Sequence, residues 1–323
     1  MSLIIKAPES MIKHAIITAA GKGTRQYPAT NAVQKELFPL VDRDGISKPT
    51  LQIIVEEVMN AGIEQIALIV QPGEERQFKQ HFKGLSKEEK KAFINKPWAL
   101  TLSENLDHMA RAITYIHQSE QRGFGHAVFC AREWAEQEPV LLLLGDHVYI
   151  SRETRSCTRQ LIDVYEQFHR SIFSLQRTPV NQLYLFGVVS GKPMTERVNL
   201  YQLDNIIEKP DVEQARRLLL IPQLPTDMFL AIFGIYILTP RIFEILENNI
   251  HAQGQIDGEI QLTTALAELI AEEGVIGYEA NGVRLDMGTP LGYLQTQFML
   301  ASHGPFAQEI DDLTKTQIHL RIG

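Results

Sequence analysis

The stretch Ala15-Ile16-Ile17-Thr18-Ala19-Ala20 constrains this chain more than any other, because it runs straight into Gly21-Lys22-Gly23-Thr24-Arg25. Six small or apolar residues with one threonine, closed by a turn signal, predict a strand buried on both faces in a parallel sheet. The glycines that follow permit backbone conformations closed to other residues and a close approach to a ligand. Successive amides in such a turn form an anion nest, and Lys22 and Arg25 add charge beside it. Two common phosphate loops do not fit. A P-loop requires Gly-x4-Gly-Lys-Ser/Thr, but Ile16 occupies the first glycine position and Gly23 the hydroxyl position. A dinucleotide fingerprint requires a third glycine, where Gln26 stands. Taken alone, the stretch is also compatible with a plain tight turn between strand and helix.

The rest of the chain repeats the rhythm of strand, loop and helix. Leu51, Ile54, Val55, Val58 and Met59 form a helical stripe ended by Gly62. Ile66–Val70, Ile113–Ile116 and Val140–Leu144 read as strands, and 127–135 suits a helix between the last two. Lys83 to Lys96 is dense in Lys and Glu and reads as an exposed helix or insertion. A second half offers a helix at 159–169, strands near 172–175, 186–189 and 203–208, and the long strand Phe229–Leu238. Helices then begin near Pro240, Glu259 and Pro290. This alternation predicts an α/β fold with a mostly parallel sheet covered by helices on both faces.

Within 323 residues no internal repeat or Pro/Ser-rich linker interrupts the pattern, so one domain over 12–303 is expected. Residues 1–11 read as an amino-terminal tail or leader, with Met11 an alternative start, and 304–323 as a carboxyl-terminal tail. A net charge of −8 argues against a nucleic-acid surface, and any phosphate site must be basic locally. Two cysteines, Cys130 and Cys157, make neither a disulfide framework nor a metal cluster, so a reducing cytoplasm is expected. No apolar run is long enough to span a membrane.

Four further stretches carry possible chemistry. Lys35-Glu36-Leu37-Phe38-Pro39-Leu40 follows Pro28-Ala29-Thr30. Gly145-Asp146 comes directly after a fully apolar strand, where a carboxylate suits Mg²⁺ or merely caps a turn. Next to it, His147 reads as structural. Glu208-Lys209-Pro210 ends another strand, and without context is an exposed charged pair. Leu285-Asp286-Met287-Gly288-Thr289-Pro290 sets a second carboxylate before a proline-started helix.

In this order, the pieces resemble the sugar-1-phosphate nucleotidyltransferases, and within them the bacterial UTP–glucose-1-phosphate uridylyltransferases. The Gly-x-Gly-Thr-Arg, Pro-Ala-Thr and Lys-Glu-x-x-Pro-Leu segments are similar to that family's amino-terminal signature. Gln118 with Gly123-Phe124-Gly125-His126-Ala127-Val128 resembles its nucleobase segment, and Asp257-Gly258-Glu259-Ile260-Gln261-Leu262-Thr263 the segment before its last helices. The resemblance covers roughly residues 12 to 300. It implies a Rossmann-like mixed sheet, mostly parallel and flanked by helices, and a homo-oligomeric enzyme acting on small molecules, UTP and glucose 1-phosphate.

The same resemblance implies roles. Gly21, Lys22, Gly23 and Thr24 would cradle the triphosphate, with Arg25 on the departing pyrophosphate and Lys35 on the α-phosphate. Asp146 and Asp286 would hold Mg²⁺. Lys209 would grip the sugar phosphate, with Glu208 and the Gly187 backbone on sugar hydroxyls. Gln118 and the backbones of Ala20 and Gly123 would read the base. Several departures stand against the family pattern: the long turn Asp42–Lys48, Gln34 in place of a common proline, Thr264 in place of a common aspartate, and Leu185-Phe186-Gly187 in place of Tyr-Gly. A thymidylyl- or guanylyltransferase, or an inactive nucleotide-sugar-binding paralogue, therefore remains open at this point. The Gln118 amide carries both a donor and an acceptor, matching the uracil edge but not the cytosine or purine edges. Thymine shares that edge, so only room around C5 and the ribose 2′-hydroxyl can set UTP above dTTP; that order is expected, with ATP, GTP and CTP poor, and Gln118→Ala should weaken UTP and narrow its lead. Turnover with all five nucleotides and glucose 1-phosphate measures this; a preference for ATP or GTP would refute it.

Overall fold

The computed structural model describes residues 10–195, 197–253 and 258–322; most of the amino-terminal tail and Asp257 of the motif above lie outside them. The chain opens with β1 (His14–Thr18), followed by β2 (Pro39–Val41) and β3 (Ser47–Pro49), then α1 (Thr50–Asn60) and β4 (Gln65–Val70). Three helices, α2 (Glu75–Phe82), α3 (Lys87–Ala92) and α4 (Pro97–Ala112), lead to β5 (Ile113–His117). Then come α5 (Phe124–Phe129), β6 (Val140–Leu144), β7 (His147–Ser151), α6 (Cys157–Phe168), β8 (Ile172–Pro179), β9 (Gly187–Pro193) and β10 (Leu200–Glu208). The last part contains α7 (Val212–Leu218), β11 (Met228–Leu238), α8 (Arg241–Gln253), α9 (Leu262–Glu273), β12 (Ile276–Glu279), β13 (Gly282–Asp286), α10 (Pro290–Ser302) and α11 (Ala307–Ile322).

Nine strands form one sheet in the order β5-β4-β1-β6-β11-β8-β12-β10-β9. β1 sits between β4 and β6 in parallel, with Ile16 opposite both Ala67 and Leu142. Alternation decides which face each residue takes. Ala15, Ile17, Leu68, Leu141 and Leu143 join a core covered by α1, α2 and α6. Ile16, Ala67, Ile69 and Leu142 join the opposite core, covered by α5, α8 and α9. Runs such as Val140–Leu144 are apolar throughout because both faces are dry.

The sheet as a whole is mixed, which corrects the mostly parallel arrangement expected from the strand–helix alternation. Parallel pairing is confined to β5-β4-β1-β6 and to β8 with β12. β11 lies antiparallel to β6, β8 and β9, and β10 antiparallel to β9 and β12. Periodicity reports how many faces of a strand are buried, not its direction, so a dry antiparallel strand such as β11 reads like a parallel one. Within the parallel part the chain builds outward from β1 to β4 and β5, then returns to place β6 on the other side. A crevice at the carboxyl ends of β1 and β6 follows from that reversal.

Two smaller ribbons stand beside the sheet. The stretch 42–48, expected as a long turn, is the bend of the hairpin β2–β3, in which the Gly45 amide donates to Asp42 O at 2.8 Å. β7 pairs antiparallel with β13, a ribbon absent from the expected elements. Its apolar face, Val148, Ile150 and Leu285, packs with Leu40, Ile53 and Leu300 in a third core. The helix expected at 127–135 is shorter and earlier, at Phe124–Phe129. It starts from Gly123 and dissolves into turns that contain the positive-φ residues Glu136 and Gln137. The closing segment, set apart above as a tail, forms α11. Among the described residues no helix is long and apolar enough to cross a membrane.

The hairpin is tied to α1 by one lysine. Lys48 is 2% exposed, and its ammonium reaches Asp42 Oδ2 at 2.9 Å, Asp44 Oδ2 at 2.7 Å and Glu56 Oε2 at 2.7 Å. Burial alone would lower its pKa, but the three carboxylates raise it well above the ordinary lysine value. Removing one member of a buried ion cluster leaves uncompensated charge. Lys48→Ala is therefore expected to destabilise the fold by ~3–5 kcal/mol in urea unfolding. A loss below ~1 kcal/mol, as at an exposed pair, would show that water already screens the cluster.

Candidate active site

The site is built where β1 and β6 end. The Gly145 amide donates to Thr18 O at 2.9 Å, and the Ala19 amide to Ile69 O at 2.8 Å, so both strand ends are held together. The glycine loop then turns through Gly23, whose φ of 60° is left-handed and whose place leaves no room for a side chain: a Cβ there would lie 2.8 Å from Thr30 Cγ2. A short 3-10 turn, Thr24–Gln26, follows. Gln26, buried, donates Nε2 to Met287 O at 2.8 Å, which staples the loop to the end of β13. Arg25 lies against Gly288 beside Asp286. Lys22 and Thr24 are exposed.

Lys35 sits under this loop with its ammonium 2.5 Å from Asp146 Oδ2 and 3.5 Å from Glu36 Oε1. Burial works against all three charges. For Lys35 the two carboxylates outweigh it and raise the pKa above the ordinary value. For Asp146 burial is outweighed by Lys35 and His147, which hold the carboxyl below its usual range. Glu36 loses the competition: it is 1% exposed, neither oxygen has a hydrogen bond, and burial pushes its pKa up to about 8 despite Lys35.

The β7–β13 ribbon brings the second carboxylate. Its register sets Asp286 opposite His147, with His147 Nε2 3.6 Å from Asp286 Oδ1 and 4.0 Å from Asp146 Oδ1. The Met287 amide donates to Asp146 O at 2.9 Å, closing β13 onto the end of β6. Burial would raise Asp286, yet His147, the Gly288 amide at 2.7 Å and Arg25 hold it well below the usual carboxylate range. Ligand atoms of Asp146, His147 and Asp286 all lie within 4.8 Å of one another. Two ionised oxygen ligands at that spacing fit a hard divalent cation.

A cavity of about 530 Å³ opens from this group toward β9 and β10, lined among others by His147, Gly187, Glu208, Lys209, Thr263 and Arg284. Thr263 Oγ1 donates to Glu208 Oε2 at 2.7 Å. Lys209 takes a left-handed φ of 47° before Pro210, a conformation that side chains and a following proline both disfavour. Its amide donates to Phe186 O at 3.0 Å, which holds the strained backbone in place. On the other side of the glycine loop, buried Gln118 donates Nε2 to Gly123 O at 3.0 Å, and the Ala20 carbonyl accepts from Gln71 at 3.0 Å and Gln121 at 3.3 Å. Gly125 donates to Ile260 O at 2.8 Å, so the segment before α9 closes over this corner.

The family model described as nucleotidyl transferase matches residues 14–302. The chain belongs to the nucleotidyl transferase family. It is 37% identical over 297 residues to a UTP–glucose-1-phosphate uridylyltransferase of Bacillus subtilis, covering 90% of this chain and 91% of that one. Over 296 residues it is also 37% identical to one from Staphylococcus epidermidis, covering 91% and 94% of the two chains. Among solved structures it is similar to a UDP-glucose pyrophosphorylase complexed with UDP-glucose (TM-score 0.71, 29% identity, 88% of this chain and 97% of that one). It is likewise similar to a UTP-bound UGPase from Acinetobacter baumannii (TM-score 0.76, 25% identity, 94% and 98%).

In this nucleotidyl transferase, Gly21, Gly23, Arg25, Lys35, Asp146 and Asp286 gather at the ends of β1, β6 and β13. Gly187, Glu208 and Lys209 stand across the cavity from His147, and Ala20, Gln118 and Gly123 flank the loop. Sequence reasoning set His147 aside as structural, and gave no separate role to Glu36, Gln26 or Arg284. Tyr149 opposite Arg284 and His147 opposite Asp286 become visible only once β7 and β13 are paired. The Glu36 carboxyl yields a measurable consequence. Its folded pKa, about 8, lies above the ordinary 4.5. Between those values the folded state keeps a proton that the unfolded state releases, so stability falls as pH rises through that window. Glu36→Gln should flatten this slope by up to ~1 kcal/mol per pH unit in urea titrations at pH 6 and 8. An unchanged slope would place the titrating proton elsewhere.

Proposed function

We propose that this protein transfers a uridylyl group from UTP to glucose 1-phosphate, giving UDP-glucose and pyrophosphate. The observation that carries this reading is the 37% identity to UTP–glucose-1-phosphate uridylyltransferases across nine-tenths of the chain. The phosphate-handling residues standing together around one crevice support it further. An oxygen of the sugar phosphate attacks the α-phosphorus in line, forming a new P–O bond as the bond to the β-phosphate breaks and pyrophosphate leaves opposite. The attacking oxygen is already ionised at neutral pH, so no general base is needed. Such a transfer depends on positioning and charge neutralisation, and this chain offers both.

The glycine-loop amides and Arg25 would hold the triphosphate and the departing pyrophosphate. Lys35, paired with Asp146 in the structure described and close to Gly21, would turn its ammonium to phosphates entering there. Lys209 and Glu208 would hold the sugar phosphate and a sugar hydroxyl across the cavity. Asp146 and Asp286 would hold Mg²⁺, which when bound supplies neutralising charge for the phosphates. His147, between the two carboxylates, keeps them apart and oriented.

A pyrophosphate-release assay across nucleotides and sugar 1-phosphates tests the reading. Glucose 1-phosphate with UTP should be the best pair, and a clear preference for another pair would overturn it. Two lysines should separate within the same assay. Lys35→Ala should lower kcat and kcat/KM together, by about a hundredfold, because its contact strengthens in the transition state. Lys209→Ala should raise the KM for glucose 1-phosphate more than that for UTP; the reverse pattern would exchange the two roles.

A further inference from the structure

The ribbon β7–β13 presents one polar face and one apolar face. On the polar face Arg284 stands opposite Tyr149, one step along from the pair Asp286 and His147. That face looks onto β11 at Gly234, where a bulge shifts the register with β8. Gly234 has φ 104°, and a Cβ there would lie 2.9 Å from both His147 Nδ1 and the Tyr149 hydroxyl. Both atoms are buried without a hydrogen-bond partner. The glycine therefore leaves room for two buried, unpartnered polar atoms behind the part of the cavity wall that Gly234 and His147 line.

Arg284 lines the same cavity. It donates Nη1 to Ile232 O at 2.8 Å and lies over the Phe186 ring at 4.0 Å. Among the described residues no carboxylate stands within ion-pair distance of it. A guanidinium has five N–H donors in a rigid fork, and one carbonyl leaves most of them unused. A cation held away from water without an anion is costly, and the fork matches phosphate oxygens two at a time. Lys209 lines the same cavity, so the two cations could share a single dianion.

We propose that Arg284 is a further substrate-binding residue, which takes the phosphate group of the sugar 1-phosphate together with Lys209, in the cavity that Gly234 and His147 also line. The inference rests on the sugar-phosphate side of the function proposed above. Arg284 gives the cavity a selection for charge. A phosphate monoester brings an anion to Arg284 and Lys209 together, whereas the free sugar brings none and should bind poorly. Phe186, standing where a tyrosine is common in the resembling family, serves as the flat surface on which the guanidinium is oriented.

Calorimetric titration with glucose 1-phosphate and with glucose, alongside KM values for both substrates, tests this. Arg284→Ala is expected to weaken glucose 1-phosphate binding about tenfold or more, the effect of losing a charge-assisted contact. The KM for UTP should change much less, and the weak binding of glucose should not change. Should Arg284→Ala not fold, Arg284→Gln keeps a donor for Ile232 O without the charge, and the same tenfold loss is expected. Unchanged glucose 1-phosphate binding in the folded variant would overturn the inference, as would a larger effect on UTP. The wild type separates the two readings. If it turns over a different sugar 1-phosphate, the titration is repeated with that one and still decides the role of Arg284. If it binds none, the sugar-phosphate reading fails and the inference with it.

Discussion

The burial of β1 on both faces and along both edges is the constraint on which the rest of this structure depends. Paired with β4 on one side and β6 on the other, the strand has no free backbone groups for a ligand except at its end. The next residues, Gly21 to Arg25, leave the sheet just where the chain changes direction between β4 and β6. A polar loop there costs no core packing, since Gly21, Lys22, Thr24 and Arg25 are exposed. Three other candidate segments are positioned around that end: Gly145 by a hydrogen bond to Thr18, Gln118 by extension from β5, and Lys35 by the turn that enters β2.

The second organising element is the ribbon β7–β13. It exists because Val148, Ile150 and Leu285 need a dry surface, which Leu40, Ile53 and Leu300 provide. Burying that face points the alternate residues inward to the crevice. Asp286 is thereby carried to the end of β6 from far along the chain, and His147 is set between two carboxylates. The same alternation puts Arg284 in the wall of the cavity, opposite the buried Tyr149. A structural requirement for one apolar face thus assembles a polar one.

Charge in the crevice is managed unequally. Lys35 faces two carboxylates, and the closer one, Asp146, keeps its charge while Glu36 is driven toward its neutral form by burial. Two anions beside one buried cation would leave a net charge with little water to solvate it. On the cavity side the balance reverses. Glu208 is shared between Lys209 at 3.8 Å and the Thr263 hydroxyl, while among the described residues no carboxylate lies within ion-pair distance of Arg284. That side of the balance is where the proposed sugar phosphate would sit.

Local features of the sequence determined the parallel half of the sheet. The apolar runs of β1, β4 and β6, the helical stripe of α1 and the glycine-rich loop each state their own structure, because burial on two faces and left-handed turns select residue types directly. The candidate residues Arg25, Lys35, Asp146, Lys209 and Asp286 were legible because they follow strands at their carboxyl ends, and because their order matches a known family. Strand direction was not legible, since a dry strand reads alike in either sense, and β11 and β10 turned out antiparallel. Nor were the β7–β13 pairing, the place of Arg284 against Ile232 O and the Phe186 ring, or the raised pKa of Glu36. Each depends on which distant residue stands opposite and how much water remains. Those facts are created by packing, and no stretch of the chain contains them alone.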